Sequence, residues 1–375
     1  MTVTADLPGT PAGDEPVVLP GDEGIAPSAP TRKRGLGGLG RYILIRFLLI
    51  IPTVFILVTM VFFLMRVTGD PITAAMGGRL TPAQLAERIA AAGYDRPLPV
   101  QYVEYLGQLL TGNFGTTLSD NRPVTEVLAT YGAATLELVF FAVIVALVVG
   151  IPLGMVAAKF RDRWPDAFLR IAAILFYATP VFFAGLLLKL VFSVWLDWLP
   201  TNGRLTISNQ LALDGLQAPT GIYFLDALRS GNMAALADVL EHAALPALAL
   251  GLLTGGVFLR LVRTNMIGTL GREFVEAGRS RGVSEYRLTT RHAFRPALIP
   301  IITVMGMQIA MMMGGAVLTE TTFEWKGLGF QLAEYLAARD FVAVQGIVVM
   351  LAVIVAVTNF LVDIVAALID PRVRY

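Results

Sequence analysis

The chain has 375 residues, of which 55% are hydrophobic and only 15% are charged, and its formal net charge is +1. A soluble domain carries roughly 25% charged residues, so the composition indicates a membrane protein, and the small net charge argues against a nucleic-acid partner. The absence of cysteine excludes disulfides, thiolate metal ligands and cysteine nucleophiles, and two histidines are too few for a metal site unless carboxylates contribute.

The first forty residues are the first element of the predicted organisation. They are rich in proline, glycine, alanine and acidic residues, and they lack an apolar core of signal-peptide length before Tyr42. The apolar run that begins there is too long to be a signal peptide. We therefore predict a disordered cytoplasmic tail over residues 1–40 and a transmembrane domain over residues 41–375.

Six segments are long and apolar enough to cross a bilayer, which requires about 20 residues per helix. The predicted spans are Tyr42–Met65, Leu136–Ala158, Phe168–Trp195, Leu245–Ile267, Ala297–Leu318 and Phe341–Leu368. Pro180 interrupts the third span, and we expect it to face the helix bundle, where neighbouring helices can satisfy the carbonyl group that a proline leaves free. The predicted fold class is all-α: a polytopic membrane protein with six transmembrane helices and no strand-rich domain.

Arginine and lysine residues predict the orientation of these spans. Most of the 29 basic residues lie in the N-terminal tail, in the short loop after the second span, around the segment before the fifth span, and at the C-terminus. Because loops rich in arginine and lysine stay on the cytoplasmic side, we predict that both termini are cytoplasmic.

The loops on the opposite side are longer, and the first of them covers residues 67–132. There Thr81 precedes a proline and lies three residues before a glutamine, which is the pattern of a capping box at a helix start. A second helix is predicted over about residues 99–110, so this loop should fold as an extracytoplasmic helical cap. In the third outer loop, Trp325 and Tyr335 suit an interfacial position.

The sequence lacks a recognisable motif for binding ATP or another energy source. No G-x-x-x-x-G-K-[ST] phosphate-binding loop is present, and the glycine-rich segment at 37–41 has no lysine and no preceding strand. Charged residues in the spans are few, and four of them lie near span ends: Arg46, Glu137, Lys189 and Asp363. Snorkelling or a helix-end position is favoured for them over a proton relay. The sequence therefore predicts a pathway that is driven by another protein.

The segment EAGRSRG at 276–282 resembles the E-A-A-x-x-x-G core of the cytoplasmic loop in permease subunits of ATP-binding-cassette importers. The family pattern continues with nine residues and I-x-L-P, but here His292 and Arg295 replace the isoleucine and proline, and Gly278 replaces the second alanine. These departures fit the dipeptide/oligopeptide branch, which SRGVSEYRLTTRHAFRPALIP resembles almost throughout. Three further segments resemble the same branch: YDRPLPVQYVEYLGQLLTGNFGTTL at 94–118, ETTFEWKGLG at 320–329 and the C-terminal IDPRVRY.

The resemblance covers residues 41–375 and implies an importer permease in the cytoplasmic (inner) membrane of a prokaryote. It implies a second homologous permease subunit, two ATP-binding subunits on the cytoplasmic side, and an extracytoplasmic substrate-binding protein that delivers di- or oligopeptides. ATP and Mg²⁺ would bind at the partner subunits, and this chain would bind no cofactor and would not itself be an enzyme. Relatives in the branch also carry nickel, glutathione or sugars, so these substrates remain alternatives.

Residues 268–296 form the predicted coupling loop to the ATPase. Residues 273–281 can form one helix that Gly282 ends in a left-handed turn, and Ser284 can cap a second helix, so that two short helices make a compact knob. A solvated basic loop that only sets the orientation is the alternative. The predicted coupling residues are Glu276, Ala277, Gly278, Arg279, Arg281, Gly282, Ser284, Arg287 and His292.

The fifth span is the predicted lining of the substrate pathway. Gln308 is its one strongly polar side chain, and Met305 and Met312 offer adaptable apolar surface. Ordinary packing is the alternative for each methionine, and Gly251-x-x-x-Gly255 in the fourth span is likewise read as a packing signal. A self-sufficient secondary carrier is the competing class of function, but the scarcity of acidic residues in the spans and the lack of a visible repeat disfavour it. A receptor or anchor would need a signalling module, which the sequence does not show.

Overall fold

The computed structural model describes residues 37–67 and 69–369. This part of the chain is helical and contains no β-strand, only an isolated bridge between Thr116 and Pro123. The predicted tail lies almost wholly outside the described residues, as does most of the C-terminal IDPRVRY segment. The helices are α1 (Gly37–Val67), α2 (Pro71–Met76), α3 (Pro82–Ala91), α4 (Leu98–Leu110), α5 (Val124–Lys159), α6 (Trp164–Ala178), α7 (Val181–Leu188), π1 (Lys189–Trp195), α8 (Ile207–Asp214), α9 (Tyr223–Ser230), α10 (Met233–Leu270), α11 (Glu273–Ser280), α12 (Glu285–Arg287), π2 (Leu288–Ala293), α13 (Phe294–Phe323), α14 (Leu328–Ala337) and α15 (Phe341–Ile369).

Five of the described helices are long and apolar enough to cross a membrane: α1, α5, α10, α13 and α15. They correspond to five of the six predicted spans. Helices α5 and α10 begin well before the predicted Leu136 and Leu245, because their first turns carry polar side chains that hydropathy alone does not count as membrane-spanning.

The third predicted span, 168–195, is two helices rather than one. Helix α6 and the segment formed by α7 and π1 meet at an angle of 107°. Thr179 adopts extended backbone (φ −80°, ψ 125°), as residues that precede proline commonly do because the proline ring disfavours the helical region. Pro180 is exposed on the described chain, so the expectation that it faces its own bundle is wrong.

The bent pair nevertheless connects the two ends of the bundle. At its start, Asp166 forms an ion pair with Arg263 near the end of α10 (2.5 Å). At its end, the Lys189 ammonium donates to the carbonyl oxygen of Thr322 near the end of α13 (2.9 Å). We call the end that contains Asp166 and the 268–296 loop the inner end, and the opposite end the outer end.

Helices α5 and α10 pack against each other through small residues. A Cβ added at Gly150 would lie 2.6 Å from the Cβ of Phe258, and one added at Gly251 would lie 2.6 Å from the carbonyl oxygen of Ala142. Small residues allow this approach of two backbones, which membrane helices use for association. The predicted packing role is therefore confirmed for Gly251, whereas Gly255 has its nearest neighbour at 3.6 Å.

Gly251→Ala is expected to lower the free energy of unfolding by about 1–3 kcal/mol, because the new methyl group forces two tightly packed helices apart. Gly255→Ala is the matched control, since its methyl group meets only ordinary contacts. Thermal unfolding of the purified chain in detergent measures both. Equal shifts for the two variants would contradict the close contact at Gly251.

The outer cap contains the helices that the sequence predicts. The Thr81 hydroxyl accepts from the backbone N–H of Gln84, and the Gln84 side chain accepts from the N–H of Thr81 (3.1 Å), so the capping box is confirmed. Helix α4 covers Leu98–Leu110, close to the predicted 99–110. Asp340, fully buried before α15, accepts from the backbone N–H of Leu118 at 2.6 Å and ties the cap to the bundle.

Candidate coupling surface at the inner end

The first arm of the 268–296 loop is the predicted helix. Helix α11 covers Glu273–Ser280, and Arg281 leaves the helical conformation. Gly282 follows with φ +77°, and no atom lies within 4 Å of a Cβ built on it. The glycine is therefore required by the left-handed backbone and not by lack of space.

The second arm differs from the prediction. Ser284 has the extended backbone of an N-cap residue, but its side chain makes no capping hydrogen bond, so the predicted cap is wrong. One α-helical turn, α12, passes through π2 directly into α13. The second arm is thus the beginning of the fifth span and not a separate helix, and any displacement of this arm acts on α13.

The two arms share a small apolar core. Val275 and Leu288 are buried, and a Cβ added at Gly278 would lie 2.8 Å from the Cδ2 of Leu288. Gly278 therefore allows the two arms to approach each other, which is a role inside the loop. The same cluster includes Ala158 of α5 and Met266 of α10. We call this two-armed unit, residues 273–293, the knob, and it is anchored on the ends of two spans.

The charged residues of the knob fall into two groups. Arg279 donates to Glu285 at 2.6 Å and to Glu276 at 3.0 Å, so it links the arms. The hydrogen bond from Arg279 lowers the pKa of the Glu285 carboxyl. Arg281 and Arg287 make no ion pair within the described part of the chain, so their charges are available to a partner. All predicted coupling residues are exposed except Gly278, which is half-buried: Glu276, Ala277, Arg279, Arg281, Gly282, Ser284, Arg287 and His292.

The predicted pathway residues lie on different faces of α13. Met305 is 7% exposed and Met312 is 3% exposed, and both pack against other spans of this chain. The structure therefore assigns these two methionines to packing, which replaces the predicted lining role. Gln308 is half-buried. The open face of α13 carries Met307 and Met311, which are 55% and 69% exposed.

The charged residues that the sequence places near span ends have partners. Arg46 of α1 pairs with Asp363 of α15 at 3.1 Å. Glu137 of α5 is buried and accepts from Arg204 at 2.5 Å. Lys189 donates to a backbone carbonyl, as described above. These contacts join elements of the bundle, so the structure gives each residue a tertiary contact that sequence position alone does not indicate.

Comparison with known families defines the class of protein. Residues 150–375 match the family described as the inner membrane component of binding-protein-dependent transport systems, and residues 39–138 match the N-terminal region of such membrane components. The chain belongs to this family. It is a multi-pass membrane permease of an importer, as the resemblance at 276–282 predicts.

Three relatives specify the branch of the family. The chain is 37% identical to the di/tripeptide transport system permease protein of Pseudomonas aeruginosa over 329 residues, which is 87% of this chain and 96% of the relative. It is 34% identical to the dipeptide transport system permease protein of Escherichia coli over 337 residues (89% and 99%). It is 38% identical to the probable D,D-dipeptide transport system permease protein of Escherichia coli over 310 residues (82% and 89%). The predicted resemblance to the dipeptide/oligopeptide branch is confirmed.

Proposed function

We propose that this chain forms, with a second homologous permease, the membrane pathway for di- or oligopeptides. All three relatives described above are named as permeases for dipeptides or di/tripeptides, which supports a peptide substrate. Nickel, glutathione and sugars, the substrates that the sequence left open, have no support among those relatives. The exposed face of α13, with Met307 and Met311, is the proposed lining, because flexible thioether side chains adapt to ligands of different shape.

The observation that carries the proposal is the continuity between the knob and α13. The second arm runs without a break into the span that holds the proposed lining, and the first arm is locked to it through Gly278, Arg279 and the buried Leu288. A partner that moves the knob would therefore move the pathway. Two packed arrangements of the bundle, inward-facing and outward-facing, would be exchanged by this movement.

Energy is proposed to come from two ATPase subunits that dock on the knob and bind ATP and Mg²⁺. This chain has no phosphate-binding loop of its own. A separate substrate-binding protein would dock at the outer end, and the lipid bilayer would surround the spans. The arginines around the knob, including Arg281 and Arg287, support a cytoplasmic inner end, and both termini are then cytoplasmic.

Glu276→Lys is expected to lower recovery of the ATPase subunits with the chain at least about tenfold, or about 1.4 kcal/mol. Glu276 is exposed and its described partner is Arg279, which keeps its stronger contact with Glu285. The substitution therefore changes the docking charge while the knob stays folded. Co-purification from membranes that contain all subunits measures the effect.

Glu334→Lys provides the control for that experiment. Glu334 is exposed on α14, at the outer end, so the same change of charge lies far from the ATPases. Full recovery of the ATPase subunits is expected for this variant. Full recovery with Glu276→Lys as well would show that this part of the knob is not the docking surface.

Single cysteines test the orientation, because the natural chain has none. Ser284→Cys at the inner end is expected to be shielded from a membrane-impermeant thiol reagent in intact cells. Thr116→Cys and Ser208→Cys at the outer end are expected to react. Positions 116, 208 and 284 are all exposed on the chain, so a difference in labelling reports the side of the membrane. Reaction of all three in the chain purified in detergent without the ATPase subunits is the control. Labelling at position 284 from outside would reverse the orientation and remove the basis for ATPase coupling.

A further inference from the structure

A polar cavity of about 110 Å³ lies at the outer end, away from the knob. It is partly open and is lined by the end of α1, the segment before α4, helix α4 itself, the residues after α4 and the first turns of α15. Its lining includes Arg66, Tyr94, Gln101, Tyr105 and Gln345. None of these residues belongs to the coupling surface or to the open face of α13.

Buried polar atoms without a partner concentrate in this cavity. The described part of the chain contains four buried side-chain polar atoms that make no hydrogen bond, and three of them line the cavity: Arg66 Nη1, Tyr105 Oη and Gln345 Nε2. Gln345 is only 6% exposed. Folded proteins pair nearly all buried polar groups, whereas these three groups line one space and lack a well-aligned hydrogen bond within the described part of the chain.

Arg66 is held rigidly at this position. Its Nε donates to Gln101 Oε1 at 2.9 Å, and its guanidinium lies 4.8 Å from the ring centroid of Phe62 and 4.7 Å from that of Tyr94. Gln101 in turn donates to the backbone carbonyl oxygens of Tyr94 and Arg96. The Nη1 group is therefore fixed before any ligand arrives, and such preorganisation favours binding.

The other two donors are neutral. The Tyr105 ring stacks on Phe62 with centroids 5.4 Å apart, and burial raises the pKa of its phenol, so that the hydroxyl keeps its proton. The Gln345 amide nitrogen is a donor at any pH. Glu104 also lines the cavity, but its carboxylate accepts from Arg96 at 2.5 Å. Within the described residues no carboxylate forms an ion pair with Arg66.

We propose that this cavity binds an oxyanion, a phosphate or carboxylate group, through Arg66, Tyr105 and Gln345. One fixed cationic donor and two neutral donors match the acceptor oxygens of such a group. A water molecule occupies about 30 Å³ in the liquid, so the space has room for an anion of a few heavy atoms. The group can belong to a free anion or to a phospholipid headgroup, because the neighbouring Val67 and Leu64 of α1 are exposed.

The first test uses the full chain, stripped of lipid in detergent and titrated with inorganic phosphate at constant ionic strength. We expect phosphate to raise the unfolding temperature in a saturable way. Tyr105→Phe removes one hydrogen bond to a charged ligand and is expected to weaken binding at least about tenfold. Tyr102→Phe is the matched control, because the Tyr102 hydroxyl is paired with Thr59 at 2.6 Å and lies outside the cavity lining.

The second test identifies the source of the group. Native mass spectrometry of the chain extracted from membranes would detect a retained phospholipid, and Tyr105→Phe combined with Gln345→Leu should release it if the headgroup is the ligand. Stabilisation by phosphate of a chain that retains no lipid would instead assign a free oxyanion. If the chain neither responds to phosphate nor retains phospholipid, the proposal is overturned. Destabilisation by Tyr105→Phe in that case would show that the cavity holds only water.

Discussion

Gly282→Val is expected to abolish substrate uptake while the chain still inserts into the membrane at its normal level. Position 282 has φ +77°, where a β-branched side chain costs about 1–2 kcal/mol. The knob can avoid this cost only by changing its turn, which separates α11 from the arm that leads into α13. The apolar parts of the spans lie outside this turn, so their insertion into the membrane should be unaffected. Uptake of a labelled dipeptide that the unmodified transporter accepts, normalised to the amount of chain in the membrane, measures the effect.

Gly282→Asn is the control for backbone conformation. Asparagine enters the left-handed region more readily than other non-glycine residues, and no atom lies within 4 Å of the added Cβ. Most of the uptake should therefore remain. Equal losses for valine and asparagine would show that the exposed surface, and not the turn, matters at this position. Normal uptake with valine would show that the knob geometry does not control transport.

The parts of the fold that the sequence predicts well depend on local chemistry. Apolar segments of sufficient length locate five spans, because each helix that crosses a bilayer must itself be long and apolar enough and must satisfy its own backbone hydrogen bonds. The capping box at Thr81 and the left-handed turn at Gly282 each depend on a few consecutive residues. Such local motifs do not depend on contacts with distant parts of the chain, so they can be recognised before the fold is known.

The break at Pro180 needed information from distant residues. A proline in a span can kink the helix or end it, and the outcome depends on what the following segment packs against. Here α7 places Gly185 against Phe323, whose ring would lie 2.9 Å from an added Cβ. That contact joins positions far apart in the chain. The sequence locates the proline but does not give the direction that the chain takes after it.

For a similar reason, the sequence does not show which face of α13 is buried. Its methionines occur on all sides of the helix, so composition alone does not distinguish the buried Met305 and Met312 from the exposed Met307 and Met311. Trp325 shows the same limit. The sequence predicts it at the membrane interface, but it is fully buried in a hydrophobic cluster, where its Nε1 donates to the carbonyl oxygen of Ala134 at 2.9 Å. Side-chain partners in other helices decide both cases.

Asp166 is the inner-end residue that the sequence did not single out. The orientation argument counts arginines and lysines and does not consider Asp166, which lies between them in the sequence. Its carboxylate is fully buried. It accepts from Arg263 at 2.5 and 2.7 Å and from the backbone N–H of Asp162 at 3.0 Å. The bidentate contact fixes the start of α6 on the last turns of α10, from which the chain leads into the knob.

Asp166→Ala is expected to lower the free energy of unfolding by about 1–3 kcal/mol, because it leaves the half-buried Arg263 guanidinium without its partner. Arg170→Ala is the matched control: Arg170 is half exposed and lies 3.7 Å from the same carboxylate, so its loss should cost less than about 1 kcal/mol. Thermal and denaturant unfolding in mixed micelles measure both variants. Adding Arg263→Met to Asp166→Ala should restore part of the stability, since no unpaired charge then remains. If the single and double variants are equally unstable, the packing of α6 on α10, and not the ion pair, holds the inner end together.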